Sequence, residues 1–244
     1  MSQESGEEPL ALSSYRGCAE QYSQVNETNP FRLQYERPAL LGLLPETNGK
    51  GVLDAGCGSG WLCEYLLAQG AKVTGVDITP AMVEMAQRRL GPRATVVEAD
   101  LGKPLDFIRD ASLDLVVSSL SLHYLRDWRA VFAEFGRILV ERGRLVFSVY
   151  HPFNPQAFGK QTEYFTTERI DMRWSSGFDP PVEVPVYRRP LTEMLRPLRE
   201  TGYLIEQIVE PVPTDECERD HPELARRMRQ CPLFLCVRAV KIGA

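Results

Sequence analysis

A glycine-rich segment, which separates a short apolar run from a helical pattern, constrains the fold of this chain most. It reads G-V-L-D-A-G-C-G-S-G from Gly51 to Gly60. Val52 and Leu53 indicate the end of a buried strand, and the apolar spacing that begins at Trp61 predicts a helix. Glycine lacks a Cβ, so such a turn lets a ligand lie against bare backbone in front of unpaired helix N–H groups. The segment therefore predicts a strand, turn and helix that bind a nucleotide-like cofactor.

The turn departs from the fingerprint of dinucleotide-binding proteins. That pattern, G-x-G-x-x-G, has its third glycine where this chain has Trp61, and the bulky indole argues against a pyrophosphate over the turn. Asp54 directly precedes the turn, where its carboxylate would repel a diphosphate and attract a ligand that carries an ammonium and a sulfonium. An NAD-dependent reductase remains an alternative. The residues expected to contact the cofactor here are Asp54, Gly56, Cys57, Gly58 and Gly60.

Two motifs together resemble a known family. D-A-G-C-G-S-G, followed about twenty residues later by V-D-I-T-P, is similar to the first two motifs of the class I S-adenosylmethionine-dependent methyltransferases, and the resemblance extends from Gly51 to Val149. It implies an α/β fold, a doubly wound, seven-stranded, mostly parallel sheet of the Rossmann-like methyltransferase type with an inserted substrate cap. It also implies S-adenosyl-L-methionine as the cofactor and a methyltransferase activity.

The resemblance assigns further cofactor contacts at the ends of two predicted strands. Asp77 would accept hydrogen bonds from both ribose hydroxyls, and Ile78 and Met82 would flank the adenine. In E-A-D-L, Asp100 would accept from the exocyclic amine and the Leu101 N–H would meet a ring nitrogen. Met82 as an ordinary core residue and Asp100 as the cap of the following turn are the alternatives.

The methionine end of the cofactor is assigned to three other residues. Residues 15–44 are amphipathic, and we expect two helices there that cover the cofactor. Tyr22 would face the methionine, Arg37 would meet its carboxylate, and the backbone at Ser118 would lie beside it. Tyr22 as a helix-packing aromatic and Arg37 in a surface salt bridge are the alternatives.

Candidates for a general base follow the fourth and fifth predicted strands. A base is needed only if the acceptor carries a proton at neutral pH. His123 comes first, with His151 and Tyr150 next, and we expect His123→Ala and His151→Ala to lower turnover while cofactor affinity stays near wild type. A packing role for His123 and a rigid turn at His151-Pro152 are the alternatives. The histidines show no metal-ligand spacing, so no metal is expected.

The composition along the chain predicts four structural segments. Residues 1–13 are polar and acidic and predict a disordered tail, and residues 14–150 form the cofactor-binding core with its cover helices. Prolines and aromatics dominate 151–190, where we expect an inserted hairpin, from Tyr164 to Trp174 and Val182 to Arg188, as the substrate cap. Residues 191–244 complete the core sheet.

Charge and segment composition limit the partners. A net charge of -5 argues against nucleic acid. An RNA nucleoside methyltransferase is further disfavoured because S-S-L-S stands where such enzymes carry an N-P-P-Y-type tetrad, and a non-catalytic S-adenosylmethionine-binding protein remains open. The aromatic, proline-rich cap favours a small, partly apolar methyl acceptor. We expect no membrane partner, a cytoplasmic location, and a monomer or homodimer.

Overall fold

Short runs of valine and leucine form the centre of the computed structural model, which describes residues 8–155, 163–175 and 177–243. Each run is short and apolar enough for a strand covered on both faces. The strands are β1 (Gly51–Ala55), β2 (Lys72–Asp77), β3 (Thr95–Glu98), β4 (Leu113–Ser119), β5 (Leu139–Tyr150), β6 (Glu168–Trp174), β7 (Val182–Arg188), β8 (Tyr203–Val209) and β9 (Phe234–Lys241).

Within the described residues, seven of these strands form one sheet in the order β3-β2-β1-β4-β5-β9-β8. The pairs among β1 to β5 are parallel, and β9 is antiparallel to both of its neighbours. The predicted fold class is confirmed. The order reverses between β1 and β4, and ligands of open parallel sheets bind at the carboxyl ends of strands beside such a reversal.

Helices cover both faces of the sheet. Side chains alternate along β1, so Leu53 and Ala55 face a cluster that contains Phe132 and Phe135, whereas Val52 faces a cluster that contains Leu62. The helices are α1 (Leu10–Tyr15), α2 (Ala19–Thr28), α3 (Arg37–Gly42), α4 (Trp61–Ala68), α5 (Pro80–Leu90), α6 (Trp128–Ile138), α7 (Leu191–Glu200), α8 (Asp215–Asp220) and α9 (Pro222–Gln230).

Helix α1 corrects part of the prediction for the N-terminus. A disordered tail was expected over 1–13, whereas residues 10–13 belong to α1. Leu10 is 8% exposed and joins an apolar cluster with Ile170 and Val186 of the hairpin, and burying a leucine this way stabilises a short helix. Residues 1–7 lie outside the described residues.

The hairpin β6–β7 is a separate two-stranded antiparallel sheet. The strand expected from Tyr164 starts at Glu168, and the second strand has the predicted bounds. The hairpin lies against α1 and the short 3₁₀ turn Leu122–Tyr124, which follows β4. It therefore sits beside the carboxyl end of the sheet. Residues 156–162 of the proposed cap lie outside the described residues, and the four domain boundaries stay predictions.

A π-helical segment, Arg32–Glu36, leads directly into α3. The Arg37 N–H donates to the Arg32 carbonyl, five residues back, which is the π-helical pattern. This bond places Arg32 and Arg37 one turn apart, and both line the cleft described below. An ordinary α-helix would turn residues five apart to different sides.

In the part of the chain that the structure describes, no helix combines the length and the apolar composition that a membrane span requires. The cytoplasmic location stays a prediction.

Candidate active site

A cleft opens at the carboxyl ends of β1, β2 and β4. It is closed on its other side by α1, α2 and the π-helical segment, whose residues belong to the predicted cover. Ten of the thirteen predicted cofactor residues line it: Tyr22, Arg37, Gly56, Cys57, Gly58, Asp77, Ile78, Met82, Asp100 and Leu101.

The glycine turn lies bare against this cleft. Gly56 has φ 85° and Gly58 has φ 52°, in the left-handed region that side chains avoid. A Cβ at Gly56 would lie 2.0 Å from the Oγ of Ser121, so a side chain there would force the walls apart. A Cβ at Gly58 would meet no protein atom within 4 Å. The turn thus fits a ligand that approaches the backbone closely.

Asp77 fixes the turn to the end of β2. Its Oδ2 accepts from the Gly58 N–H and its Oδ1 from the Thr79 N–H, both at 2.9 Å. The Thr79 Oγ1 is buried without a hydrogen-bond partner among the described residues. Burial raises the pKa of Asp77, and the backbone N–H groups oppose that rise. Each oxygen keeps a second lone pair for a hydroxyl in the cleft.

Asp100 combines the two roles that the sequence left open. Its Oδ1 accepts from the Gly102 N–H at 2.8 Å, which caps the turn after β3. Asp100 and Leu101 also line the cleft, next to Ile78 and Met82. Their positions at one end of the cleft agree with an adenine site, although Met82 is also 1% exposed and packed as a core residue. The adenine contacts themselves stay a prediction.

Asp54 does not reach the cleft, which corrects its predicted role. Its side chain lies on the α4 face of β1, 1% exposed, and accepts from the Cys63 thiol at 3.1 Å. Burial raises the pKa of Asp54 to about 7, and the nearby charge of Asp77 adds to the rise. Strand alternation thus directs this carboxylate under the turn, where it faces α4 and not the ligand.

Gly60 and Ser118 also lie outside the cleft lining. Gly60 begins α4, and a Cβ there would lie 3.2 to 3.3 Å from atoms of Ala86 and Leu90, so it permits close packing of α4 on α5. Ser118 is fully buried and donates to the Ala55 carbonyl at 2.8 Å, which ties β4 to β1. The residues that follow it, residues 119–121, line the cleft instead.

Two arginines supply positive charge to the cleft. The Arg37 guanidinium lies 4.0 Å over the Trp61 ring and donates to the Asn26 carbonyl at 3.1 Å. Burial, with repulsion from Arg32, lowers the pKa of Arg37 to about 10, so it stays protonated at neutral pH. In the described residues Arg37 makes no salt bridge, unlike the alternative considered for it. Arg32 donates to the Tyr22 hydroxyl at 2.7 Å.

Several cleft residues were missed from the sequence. Trp61 was considered as the start of a helix and as an obstacle to a pyrophosphate, yet it lines the cleft under Arg37. Arg32 was missed because helical periodicity does not align it with Arg37. Tyr15 and Tyr124 share a hydrogen bond of 2.9 Å between their hydroxyls, from segments 109 residues apart, and no sequence signal predicts this pair.

The predicted catalytic residues lie behind the cleft wall. His123 is 3% exposed, both ring nitrogens lack hydrogen-bond partners among the described residues, and its ring centre is 4.4 Å from that of Tyr150. His151 accepts from the Phe153 N–H at 3.1 Å and lies 3.0 Å from a Glu210 oxygen. None of His123, Tyr150 and His151 lines the cleft, so the base hypothesis has no support from their placement.

The buried imidazole of His123 predicts a pH-dependent stability. Burial first, and the charges of Arg32 and Arg189 next, lower the pKa of His123 well below its usual value. The unfolded chain protonates this residue near pH 6.5 and the folded chain does not, so acid favours unfolding. Between pH 7.5 and pH 5.5, wild type should lose about 1.4 kcal/mol more unfolding free energy than His123→Phe.

Urea unfolding of both proteins at the two pH values measures this difference. His221→Asn, at an exposed histidine, is the control and should lose as much as wild type. Equal losses for wild type and His123→Phe would show that His123 is protonated in the folded state.

Comparisons with known proteins agree with the geometry. Residues 53–147 match the family model described as a methyltransferase domain. The structure of an S-adenosylmethionine-dependent methyltransferase from Listeria monocytogenes aligns with a TM-score of 0.72 at 29% identity, covering 84% of this chain and 96% of that one.

Sequence relatives extend the comparison. An uncharacterized protein of Haemophilus influenzae is 26% identical over 245 residues, which cover 90% of this chain and 92% of that protein. Malonyl-[acyl-carrier protein] O-methyltransferase of Serratia marcescens is 30% identical over 130 residues, 53% of this chain and 50% of that enzyme. The chain therefore matches only about half the length of this methyltransferase.

The cofactor implied by these comparisons fits residues of the cleft. A turn without side chains at Gly56 and Gly58, a carboxylate at Asp77 and a protonated guanidinium at Arg37 all line the cleft. The turn would contact the nucleoside through its backbone, Asp77 would accept from the ribose hydroxyls, and Arg37 would bind the amino-acid carboxylate. Residues 53–147 thus carry a methyltransferase domain, and the fold and these neighbours are those of S-adenosylmethionine-dependent methyltransferases.

Proposed function

We propose that the protein transfers a methyl group from S-adenosylmethionine to a small, partly apolar acceptor with an oxygen, nitrogen or carbon nucleophile. The observation that carries this proposal is the continuity of the cleft. Its glycine-turn end fits the cofactor, and the same cleft extends to a second end at Tyr15, Tyr22 and Tyr124, where we place the acceptor.

The wall around that second end supports a small acceptor with an apolar part. The Tyr22 ring stacks on Trp174 of β6 at 5.0 Å between ring centres, and the Trp174 and Phe178 ring centres are 5.7 Å apart. Leu10 and Leu125 add aliphatic surface. Pockets with apolar walls and a few polar groups are typical of small-molecule sites. The O-methyltransferase name of the Serratia relative favours oxygen among the three nucleophiles.

The residues would act by alignment and by exclusion of water. When bound, S-adenosylmethionine supplies a methyl group on a positively charged sulfur, already activated for displacement. Asp77 would orient the ribose and Arg37 the amino-acid carboxylate, while α1 and α2 shield the cleft. Holding two reactants in line in this way contributes about 7–11 kcal/mol in favourable cases.

Arg37 provides a specific test of cofactor orientation. Arg37→Gln should weaken binding of S-adenosylhomocysteine by about tenfold or more, because a charged hydrogen bond to the carboxylate is lost. Binding of 5′-methylthioadenosine, which lacks the amino-acid part, should not change. Calorimetry measures both, with Arg88→Gln on the exposed face of α5 as the control. An equal loss for both ligands would assign Arg37 to the nucleoside or to folding.

Transfer itself is tested with methyl-labelled S-adenosylmethionine and a small-molecule cell extract. The proposal predicts label in low-molecular-weight products, and markedly less label with the Asp77→Ala variant at low cofactor concentration. Label in RNA would instead support the nucleoside methyltransferase alternative. Binding of the cofactor without any transfer would support a non-catalytic binding protein.

A further inference from the structure

The end of the cleft away from the glycine turn is rich in hydrogen-bond donors. Arg32 and three tyrosines, Tyr15, Tyr22 and Tyr124, line it. Arg32 donates to the Tyr22 hydroxyl at 2.7 Å, and the Tyr15 and Tyr124 hydroxyls are 2.9 Å apart. The Tyr15 and Tyr22 ring centres are 4.7 Å apart, so the four side chains form one cluster.

Hydrogen counting shows that this cluster has donors left over. The three hydroxyls carry three hydrogens, and links from Tyr22 to Tyr15 and from Tyr15 to Tyr124 use two at most. Tyr22 already accepts from Arg32, whose remaining N–H groups have no further hydrogen-bond acceptor within the described residues. At least one hydroxyl hydrogen and several guanidinium hydrogens therefore call for an acceptor in the cleft.

Among the described residues, this end has no group that would remove a proton. Of the acids that line the cleft, Asp77 and Asp100 bind backbone N–H groups near the turn, and Glu27 is paired with Arg89. Burial raises the pKa of Tyr15 and of Tyr124 well above the usual tyrosine value, so both stay protonated donors at neutral pH. An acceptor that must lose a proton to react would find no base here.

The two arginines divide the positive charge of the cleft. Arg37 lies over Trp61, beside the turn, whereas Arg32 bonds to the Tyr22 hydroxyl. Burial works against the charge of Arg32, but Tyr22 and Glu36 outweigh it and raise its pKa. Glu36 itself is fully buried, accepts from Ser119 and does not line the cleft. With Arg37 proposed for the cofactor carboxylate, Arg32 is left for a second anion.

We propose that the methyl acceptor is a small carboxylic acid whose carboxylate is bound by Arg32 and the tyrosine hydroxyls, and that the product is its methyl ester. This inference rests on the proposed function. A carboxylate is already ionised at neutral pH, needs no base, and accepts the hydrogen bonds that the cluster offers.

The reaction balances without a proton transfer. One carboxylate oxygen forms a bond to the methyl carbon with its own electron pair while the carbon–sulfur bond breaks, and that electron pair stays on sulfur. The negative carboxylate and the positive sulfonium become a neutral ester and a neutral thioether. Loss of the negative charge weakens the contact with Arg32, which favours release of the ester over retention.

Chemical lability of the product tests the ester directly. Label transferred to a small-molecule extract is treated with alkali, which cleaves methyl esters to volatile methanol and leaves methyl ethers and methylamines intact. The inference predicts that the label is released as methanol. Label that resists alkali would overturn the inference and leave the proposed function standing, whereas absence of any transfer would count against both.

Binding of model acids tests the role of Arg32. The protein saturated with S-adenosylhomocysteine is titrated with benzoate and octanoate, and with the uncharged benzamide and octanamide as matched probes. At least one acid should bind about tenfold more tightly than its amide, as expected for a hydrogen bond to a charged group. No preference for either acid would overturn the inference.

The variants connect this preference to named groups. Arg32→Gln should abolish the preference for the acid over its amide, and Arg32→Lys should retain part of that preference. Arg226→Gln, on the charged face of α9, should leave the preference unchanged. Tyr15→Phe and Tyr124→Phe keep the rings and should each reduce it. Retention of the full preference in Arg32→Gln would assign the anion to another site. Binding of S-adenosylhomocysteine by each variant shows that it is folded.

Discussion

Asp77→Ala should weaken binding of S-adenosylhomocysteine by about 10- to 150-fold, which corresponds to the loss of one hydrogen bond to a charged acceptor at about 1.5–3 kcal/mol. We propose that the carboxylate accepts from the ribose while it holds the Gly58 and Thr79 N–H groups at 2.9 Å. The variant therefore loses both the ligand contact and the bond that sets the shape of the turn. Calorimetric titration measures the change.

The control for this variant is Asp106→Ala, which removes an exposed carboxylate outside the cleft. It should bind S-adenosylhomocysteine as wild type does. The melting temperature of Asp77→Ala separates a lost contact from a lost fold. A folded Asp77→Ala with wild-type affinity would remove Asp77 from the binding site.

Gly56→Ala should lower both stability and cofactor affinity. A residue with a Cβ at φ 85° costs about 1–2 kcal/mol, or about 2–8 °C in melting temperature for a chain of this size. The added Cβ would also lie 2.0 Å from the Oγ of Ser121. Either the turn or the cleft wall at Ser121 must move to relieve this clash. Because either movement displaces the backbone from the ligand, affinity should fall about tenfold or more.

A second substitution separates the two causes. Ser121→Gly removes the atoms that the new Cβ would strike, at 2.0 and 2.4 Å, so Gly56→Ala with Ser121→Gly should recover part of the affinity but not the backbone cost. Gly42→Ala, where a Cβ meets nothing within 4 Å, should be neutral. Wild-type affinity and stability in Gly56→Ala would show that the turn is not the close contact inferred here.

The turn, Asp77 and the sheet order could be predicted from sequence because their signals are local. Apolar runs of strand length, a glycine turn and an acid at the end of the next strand each lie within about ten residues. The order of parallel strands then brings the ends of β1 and β2 together without any further information. For the same reason Asp100, which follows the neighbouring strand β3, also lines the cleft, and its adenine contact stays a prediction.

The errors have physical causes that local patterns do not contain. Asp54 was assigned to the ligand by its distance along the chain, but strand alternation turns it toward Cys63. Ser118 is buried by the same alternation, one residue before the chain reaches the cleft.

The acceptor end could not be predicted at all. It depends on a π-helical turn that aligns Arg32 with Arg37, and on Tyr15 meeting Tyr124 across 109 residues. The first replaces helical periodicity. The second is a tertiary contact of α1, whose residues 10–13 were expected to be disordered. His123 was proposed as a base because it follows β4, yet its ring lies behind Tyr124 and Tyr150.

The central claim is that the cleft at the carboxyl ends of β1 and β2 binds S-adenosylmethionine. Calorimetric titration of the wild-type protein with S-adenosylhomocysteine tests it most directly, with the Asp77→Ala variant measured beside it. The account predicts one ligand per chain and a loss of about tenfold or more in the variant. No heat with the wild-type protein, or the same affinity in both proteins, would contradict it.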